Sequence, residues 1–277
     1  MNTTTRQRTI SLTALLTAIA ALIGLAILAT SPTSATSPTS AAPAAAKKPT
    51  IVLVHGAFAD ASGWNSVIKR LNRQGYPTIA VANPLRGVKE DAAALEARLA
   101  TIDGPIVLVG HSYGGTVLSN VRAGNSNITS LVFIAAFAPA KGETAAQLAG
   151  MYPGSTLGDT LAPVTLPDGS HDLYIKPELF HQQFAADVPA PKAALMAATQ
   201  RPIRDVALGD KSRAPLWADV PSWFLLADAD YNIPWKAQKF MADRAESRHT
   251  VTVEGASHAV HVSRPGKVTD IIIRAAR

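Results

Sequence analysis

The sequence of 277 residues predicts an α/β fold, with a mostly parallel sheet, helices on both of its faces and an inserted helical cap. Short continuous apolar runs, such as Thr50–Val54 (TIVLV), are typical of strands buried on both faces. Segments with helical apolar spacing follow these runs, and such alternation is typical of a covered parallel sheet. Between about residues 137 and 221 the alternation stops and Pro, Gly, Ala and Met are frequent. This stretch is therefore predicted to fold as a cap over the strand ends.

The remaining elements follow from the same two patterns. Apolar residues at i, i+3, i+4 and i+7 predict the first helix, through Trp64, Val67, Ile68 and Leu71. Further helices are predicted over residues 90–102, 115–121, 235–246 and 267–276. Further strands are predicted at Thr78–Ala82, Ile106–Val109, Ser130–Ala135, Trp223–Ala227 and Thr250–Val253.

Composition and charge exclude several classes of protein. Hydrophobic residues make up 47% of the chain and charged residues 17%, which excludes a mostly disordered or fibrous protein. There is no cysteine, so disulfides, cysteine-ligated metal sites and a cysteine nucleophile are all excluded. The net charge is +6, but the basic residues are scattered and form no run longer than Lys47-Lys48. We therefore expect no binding of nucleic acid.

The first 35 residues have the pattern of a secretory signal peptide. Arg6 and Arg8 precede a nearly continuous apolar stretch at residues 10–29, and small residues follow it. We expect cleavage and secretion, with Thr33-Ser34-Ala35 and Ala44-Ala45-Ala46 as the two possible cleavage sites. The alternative is an uncleaved membrane anchor through residues 10–29, which are long enough to span a bilayer. Residues 36–48 are rich in Ser, Pro and Ala and are predicted to be a flexible linker. The catalytic domain is then predicted over residues 49–277.

The nucleophile is predicted at Ser112. The sequence Gly110-His111-Ser112-Tyr113-Gly114 has the pattern G-x-S-x-G and lies between a predicted strand and a predicted helix. In that context the serine occupies a strained turn, its neighbours must be small, and its hydroxyl projects beyond the sheet.

A serine hydroxyl needs a general base, and the base needs a carboxylate that orients it. His258 follows the last predicted strand, so it belongs at the same sheet edge as Ser112. Asp228 and Asp230 both follow the strand before it, and either fits the expected chain order of serine, acid and histidine. His111 and His55 are interpreted as structural, and His261 as a packing or solvated residue.

Acyl transfer also needs hydrogen-bond donors for the oxyanion. One is predicted to be the backbone N–H of Tyr113, which follows the nucleophile. The other is predicted to be the backbone N–H of Ala57, in the loop after the first strand, where Gly56 permits a close approach. No metal or organic cofactor is needed for this chemistry.

The segments VLVHGAF, GHSYGG, DYNIP and GASHAV, in this order, resemble the α/β-hydrolase superfamily. The resemblance covers Thr50 to Arg277 and points to the branch that holds plant methylesterases, hydroxynitrile lyases and small bacterial carboxylesterases. It implies that the acid is Asp230, 28 residues before His258, and that Ala57 supplies the second oxyanion amide. Hydroxynitrile lyases of this branch carry a lysine near the catalytic site and a threonine in the first oxyanion loop. Ala259 and Ala57 stand at those places here, which favours ester hydrolysis.

The sequence thus predicts a serine carboxylesterase that acts on a small-molecule ester with small or medium apolar groups. Two alternatives remain open at this point. The same triad could attack a lactone, an amide or a C–C bond, or the fold could serve as a non-catalytic ligand-binding protein. The sequence predicts no oligomeric state.

Overall fold

The computed structural model describes residues 47–122 and 127–277. The predicted signal peptide and most of the predicted linker lie outside these residues. The strands of the described part are β1 Thr50–Val54, β2 Thr78–Val81, β3 Ile106–His111, β4 Ile128–Ile134, β5 Leu161–Thr165, β6 His171–Ile175, β7 Ile203–Arg204, β8 Ser222–Ala227 and β9 His249–Val253.

The helices of the same part are α1 Asn65–Arg73, α2 Val88–Leu99, α3 Tyr113–Ser119, α4 Ala145–Gly150, α5 Leu157–Thr160, α6 Pro177–Phe184, α7 Ala190–Thr199, α8 Asp205–Gly209, α9 Trp235–Arg244, α10 Val260–Ser263 and α11 Pro265–Ala275. Short 3-10 helices occupy Ala61–Trp64 and Leu216–Ala218. Within residues 47–122 and 127–277, no helix combines the length and the apolar character that crossing a bilayer requires.

Six strands form one sheet in the order β2-β1-β3-β4-β8-β9, and every neighbouring pair is parallel. The prediction of a parallel α/β sheet is therefore confirmed. Because all six strands run in the same direction, their carboxyl ends meet at one edge. The loops after β1, β3, β8 and β9 all leave from this edge, and they carry the predicted site residues.

Alternate residues of each central strand pack on opposite faces of the sheet. On β1, Val52 and Val54 belong to one apolar core, whereas Ile51 and Leu53 belong to the other. The first core is completed by residues of α2, α3 and α9, and the second by residues of α1 and α11. Burial on both faces explains why β1 is a continuous apolar run with no polar alternation.

The segment between β4 and β8, here called the cap, contains α4 to α8 and also a small antiparallel sheet of order β5-β6-β7. The prediction of a helical cap is thus correct for the helices, but it did not include this sheet. The missed signal is the turn Pro167-Asp168-Gly169 between β5 and β6, because such a sequence is typical of a tight turn. Gly169 has a φ of +81°, and the Leu166 N–H donates to the Ser170 carbonyl at 2.8 Å.

Candidate active site

Ser112 occupies a strained turn between β3 and α3. Its φ is 54° and its ψ is −125°, a region that residues with a Cβ rarely adopt, at a cost of about 1–3 kcal/mol. Its carbonyl accepts hydrogen bonds from the N–H of Gly115 at 2.9 Å and from that of Phe137 at 3.2 Å. The turn is therefore held both by its own helix and by the chain that leads into the cap.

Close packing around this turn explains why small residues are required there. A Cβ on Gly56 would lie 2.6 Å from the Ser112 Cβ and 2.8 Å from the His111 carbonyl oxygen. A Cβ on Gly115 would lie 2.2 Å from the Phe137 carbonyl oxygen. All three distances are shorter than van der Waals contact, so only glycine lets the β1 loop and the cap approach the serine this closely.

Two backbone amides lie beside the serine. Ala57, Ser112 and Tyr113 line the same cavity. Tyr113 is the first residue of α3, and a helix leaves the first N–H groups without an intrahelical partner. Within the described residues, neither the Ala57 nor the Tyr113 amide donates a hydrogen bond to another residue. After Ala57 the loop bends sharply, because Phe58 has a φ of 60° and donates its N–H to the Arg201 carbonyl at 3.0 Å.

His258 and Asp230 form a buried pair. The His258 Nδ1 lies 2.7 Å from the Asp230 Oδ2, and the two side chains are 1% and 0% exposed. The other carboxylate oxygen, Oδ1, accepts the N–H groups of Asn232 at 2.7 Å and Ile233 at 2.9 Å. A carboxylate accepts, so His258 donates its Nδ1–H and keeps the lone pair on Nε2. The pair has the geometry that orients a general base.

The Nε2 of His258 has no hydrogen-bond partner in the described part of the chain. His258 contacts the serine turn through His111. The Nε2 of His111 donates to the His258 carbonyl at 2.9 Å, and the centroids of the two rings are 4.7 Å apart. Hydrogen bonds between a serine and its base are often long without substrate and tighten only in its presence.

Asp228, the alternative acid, has a different role. Its Oδ1 accepts the N–H of Gly255 at 2.7 Å and so ties the loop after β8 to the loop after β9. Of the two aspartates, Asp230 is the one in contact with His258.

Three further histidines are buried and neutral. Burial lowers the pKa of His55 to about 4 and that of His261 to about 3, and it also holds the pKa of His111 well below its usual range. The ring of His261 packs between those of His111 and Trp64, with centroids 4.1 and 4.7 Å away and with tilted planes. His261 is therefore a packing residue, one of the two interpretations that its sequence position allowed.

Gln238 of α9 holds the Asp230 carboxylate, and no pattern in the sequence singles it out. It is fully buried, and its Nε2 donates to the Asp230 Oδ2 at 3.0 Å and to the Ile233 carbonyl at 2.7 Å. Its Oε1 accepts the N–H of Ala227 at 3.0 Å. Gln238 thus joins the end of β8 to the carboxylate that His258 uses.

Asp91 of α2 supports the other side of the site. The phenol of Tyr113 donates to its Oδ2 at 2.8 Å, and the N–H of Arg86 donates to its Oδ1 at 3.0 Å. Asp91 is fully buried, and desolvation raises its pKa. The hydrogen bond to Asp91 anchors Tyr113, which supplies one of the two candidate oxyanion amides.

The cavity beside Ser112 has a volume of about 360 Å³, within the range of small-molecule pockets. Its lining in the described structure contains no charged residue. The cap contributes most of the apolar wall, through Phe137, Ala145, Ala146, Ala149, Leu157, Leu161 and Leu208. Elsewhere, residues 47–122 and 127–277 contain no group of three or more His, Asp or Glu side chains arranged to hold a metal ion.

Comparison with known proteins agrees with this architecture. A family model described as "Alpha/beta hydrolase family" matches residues 51–271. The chain is 26% identical over 261 residues to Esterase PIR7B of Oryza sativa subsp. japonica, an alignment that covers 84% of this chain and 97% of that protein.

Solved structures show the same fold. The structure of polyneuridine aldehyde esterase superposes with a TM-score of 0.72 at 19% identity, covering 83% of this chain and all of that one. A methylesterase protein from Arabidopsis, MES16, superposes with a TM-score of 0.67 at 18% identity, covering 82% and 98% of the two chains. The resemblance to the branch of plant methylesterases is thereby confirmed at the level of family and fold.

Proposed function

The chain belongs to the alpha/beta hydrolase family, and on that premise we propose that it is a serine carboxylesterase. In this proposal Ser112, His258 and Asp230 form the catalytic triad, and the N–H groups of Ala57 and Tyr113 form the oxyanion hole. The substrates are small-molecule carboxylic esters with small or medium apolar groups. The reaction proceeds through an acyl-enzyme.

In the first half-reaction the Ser112 oxygen attacks the ester carbonyl carbon, while His258 Nε2 accepts the hydroxyl proton. Asp230 stabilises the imidazolium that forms, and the two amides stabilise the negative charge on the former carbonyl oxygen. The C–O bond to the alcohol then breaks, and His258 returns its proton to the leaving oxygen. In the second half-reaction a water molecule, deprotonated by His258, attacks the acyl-enzyme carbonyl carbon. The bond to the Ser112 oxygen breaks, His258 returns the proton to that oxygen, and the acid is released.

One observation carries the proposal. Ser112 lines one cavity with Ala57 and Tyr113, whose amides have no hydrogen-bond acceptor in the described part of the chain, and no charged residue of that part lines it. A nucleophile next to two free donors in an apolar cavity suits a neutral carbonyl compound, because the charge that develops during attack is stabilised only where the donors point. The buried His258–Asp230 pair, held next to this turn by His111, supports the same reaction.

The proposal is tested by hydrolysis of p-nitrophenyl esters from acetate to long acyl chains, with the full-length wild type and the Ser112→Ala variant. We expect the wild type to turn over the shorter and medium esters with an initial burst of p-nitrophenol. Removal of the nucleophile is expected to lower kcat by about a million-fold. Ser62→Ala changes an exposed serine outside this cavity and is expected to keep wild-type rates, so it serves as the matched control.

Two results would overturn the proposal. If the folded wild type hydrolyses none of the esters, the assay moves to lactones, amides and C–C bonds, and the esterase assignment fails. If Ser112→Ala retains wild-type activity, the nucleophile is a different residue.

We also propose that residues 1–35 direct the chain out of the cytoplasm. Two arginines before an apolar stretch, followed by small residues, support this. Mass spectrometry of the protein from the cell exterior, the membrane fraction and the cytoplasm distinguishes the outcomes. A mature N-terminus just after Ala35 or just after Ala46 indicates cleavage. An intact N-terminus in the membrane fraction indicates anchoring, and an intact chain in the cytoplasm contradicts the proposal.

A further inference from the structure

The most polar feature of the cavity wall, apart from the serine turn itself, is the side chain of Asn232. It lies two residues after Asp230, is 3% exposed and lines the cavity together with Ser112. Most of the surrounding wall is apolar, so a hydrogen-bonding group here stands out. Two questions decide what it does: which end of the amide faces the cavity, and whether that end already has a partner.

The hydrogen bonds of Gln183 fix the orientation of the Asn232 amide. A main-chain carbonyl can only accept, so the Gln183 atom 2.9 Å from the Tyr231 carbonyl oxygen is its NH2 group. The same NH2 group lies 2.7 Å from Asn232 Oδ1, which must therefore be an oxygen. The Gln183 Oε1 accepts the Thr156 hydroxyl at 2.8 Å, in agreement with this assignment.

The NH2 group of Asn232 is the end that remains. Among residues 47–122 and 127–277 the Asn232 side-chain nitrogen has no hydrogen-bond partner. It is not one of the fully buried atoms that lack a partner, so part of its surface is accessible. Its oxygen is committed to Gln183 on the cap side. Its main chain is also fixed, because the Asn232 carbonyl accepts the Ser155 hydroxyl at 3.0 Å and its N–H donates to Asp230. The free end is thus a rigidly held donor on a residue that lines the cavity.

We propose that Asn232 is a specificity-determining residue whose NH2 group binds a second, neutral oxygen acceptor of the substrate. This rests on the proposed esterase function and names its substrate class: apolar esters that also carry a ketone, ether or second ester oxygen. A plain hydrocarbon chain in the same place buries the Asn232 donor without a partner, which is unfavourable. A substrate with an additional charge finds no charged side chain in the described cavity wall.

Matched ester pairs test this. The reference is p-nitrophenyl hexanoate, and its counterparts replace one methylene of the acyl chain by a ketone, at successive positions. For at least one position we expect the wild type to show a kcat/KM about five- to a hundredfold higher than for the reference. Asn232→Leu keeps the branched shape and the number of side-chain heavy atoms but has no donor, and it is expected to bring this ratio close to one.

A second variant tests the hydrogen bond of Asn232 without changing the size of that residue. Gln183→Glu replaces the NH2 group, which donates to both the Asn232 oxygen and the Tyr231 carbonyl, by an acceptor. The bond to Tyr231 is lost, and the Asn232 amide is expected to rotate, donate to the new carboxylate and present its oxygen to the cavity. The preference should then pass from the keto ester to the corresponding hydroxy ester. Such a reversal follows from a hydrogen bond and not from a change in packing.

The outcomes are distinct from those of the esterase test. If the wild type hydrolyses the hexanoate but prefers no keto ester, or if Asn232→Leu keeps the preference, the proposal for Asn232 is wrong and the esterase function stands. If no ester is hydrolysed, the esterase function fails. In that case the folded Ser112→Ala variant is titrated with a linear methyl ketone and with the hydrocarbon of equal length. A ketone-specific shift of the Asn232 side-chain NH2 resonance still supports recognition of an oxygen acceptor, and no shift overturns it.

Discussion

The Asp230 carboxylate accepts the Nδ1–H of His258 at 2.7 Å, although the two residues leave different strands of the sheet and are 28 positions apart. Asp230 is itself held by the N–H groups of Asn232 and Ile233 and by the Gln238 amide. The carboxylate is therefore fixed before any substrate binds. This arrangement fixes both the tautomer and the direction of the imidazole.

Asp230→Asn is expected to lower kcat about a thousand- to ten-thousandfold, because an amide near Nδ1 favours the wrong histidine tautomer. KM should change far less, since Asp230 does not line the cavity. Asp228→Asn is the matched control. Its amide oxygen still accepts the Gly255 N–H, so activity should remain within a few-fold of the wild type. Steady-state kinetics on a p-nitrophenyl ester measures both, and equal losses in the two variants would contradict the assignment.

Gln238→Leu is expected to lower the free energy of unfolding by about 2–4 kcal/mol, because it leaves buried main-chain groups of Ala227 and Ile233 without partners. It should also lower kcat, since Asp230 loses one of its donors. Lys239→Met, at the exposed next position of α9, should change the free energy by less than about 0.5 kcal/mol. Urea unfolding with kinetics on the same samples checks this, and an unchanged midpoint for Gln238→Leu would refute it.

Ser112 and Gln183 show which kind of residue can be predicted from the sequence and which kind cannot. The turn at Ser112 is local, because strand, glycines and helix are neighbours in the chain and determine the conformation together. The main strands and their parallel direction were likewise predicted correctly from apolar runs such as Thr50–Val54 and the helices that follow them. Gln183 reaches Asn232 only because the cap packs against the loop after β8. No spacing rule encodes that contact, so neither residue could be selected from the sequence.

Gly56→Ala is expected to disturb the candidate oxyanion loop. The added Cβ would lie 2.6 Å from the Ser112 Cβ, so the loop or the serine must move. We expect a loss of about 1–3 kcal/mol in the free energy of unfolding and a marked fall in kcat. Gly266→Ala is the matched control, because its Cβ meets nothing within 4 Å and lies in the first turn of α11. Thermal unfolding and kinetics of both variants decide, and wild-type behaviour of Gly56→Ala would show that the close approach is not required.

The buried histidines make stability depend on pH. Burial lowers the pKa of His55 to about 4 and of His261 to about 3, against an ordinary value of 6.5. Between the lowered pKa of each histidine and pH 6.5, the unfolded chain binds a proton that the folded chain does not. The free energy of unfolding therefore falls as the pH falls. Each such histidine is expected to contribute about 1.4 kcal/mol of loss per pH unit below pH 6.5. Above pH 6.5 the contribution should vanish.

His261→Leu tests this dependence directly, because both nitrogens of His261 lack a partner in the described structure and their removal breaks no hydrogen bond. Urea unfolding of wild type and variant is measured at intervals from pH 7 to pH 4.5. The slope of the free energy of unfolding against pH should be smaller in the variant. In the lower half of that range the difference should correspond to the uptake of about one proton fewer on unfolding. Equal slopes would mean that His261 takes up a proton in the folded protein, and the neutral, buried state assigned to it here would then be wrong.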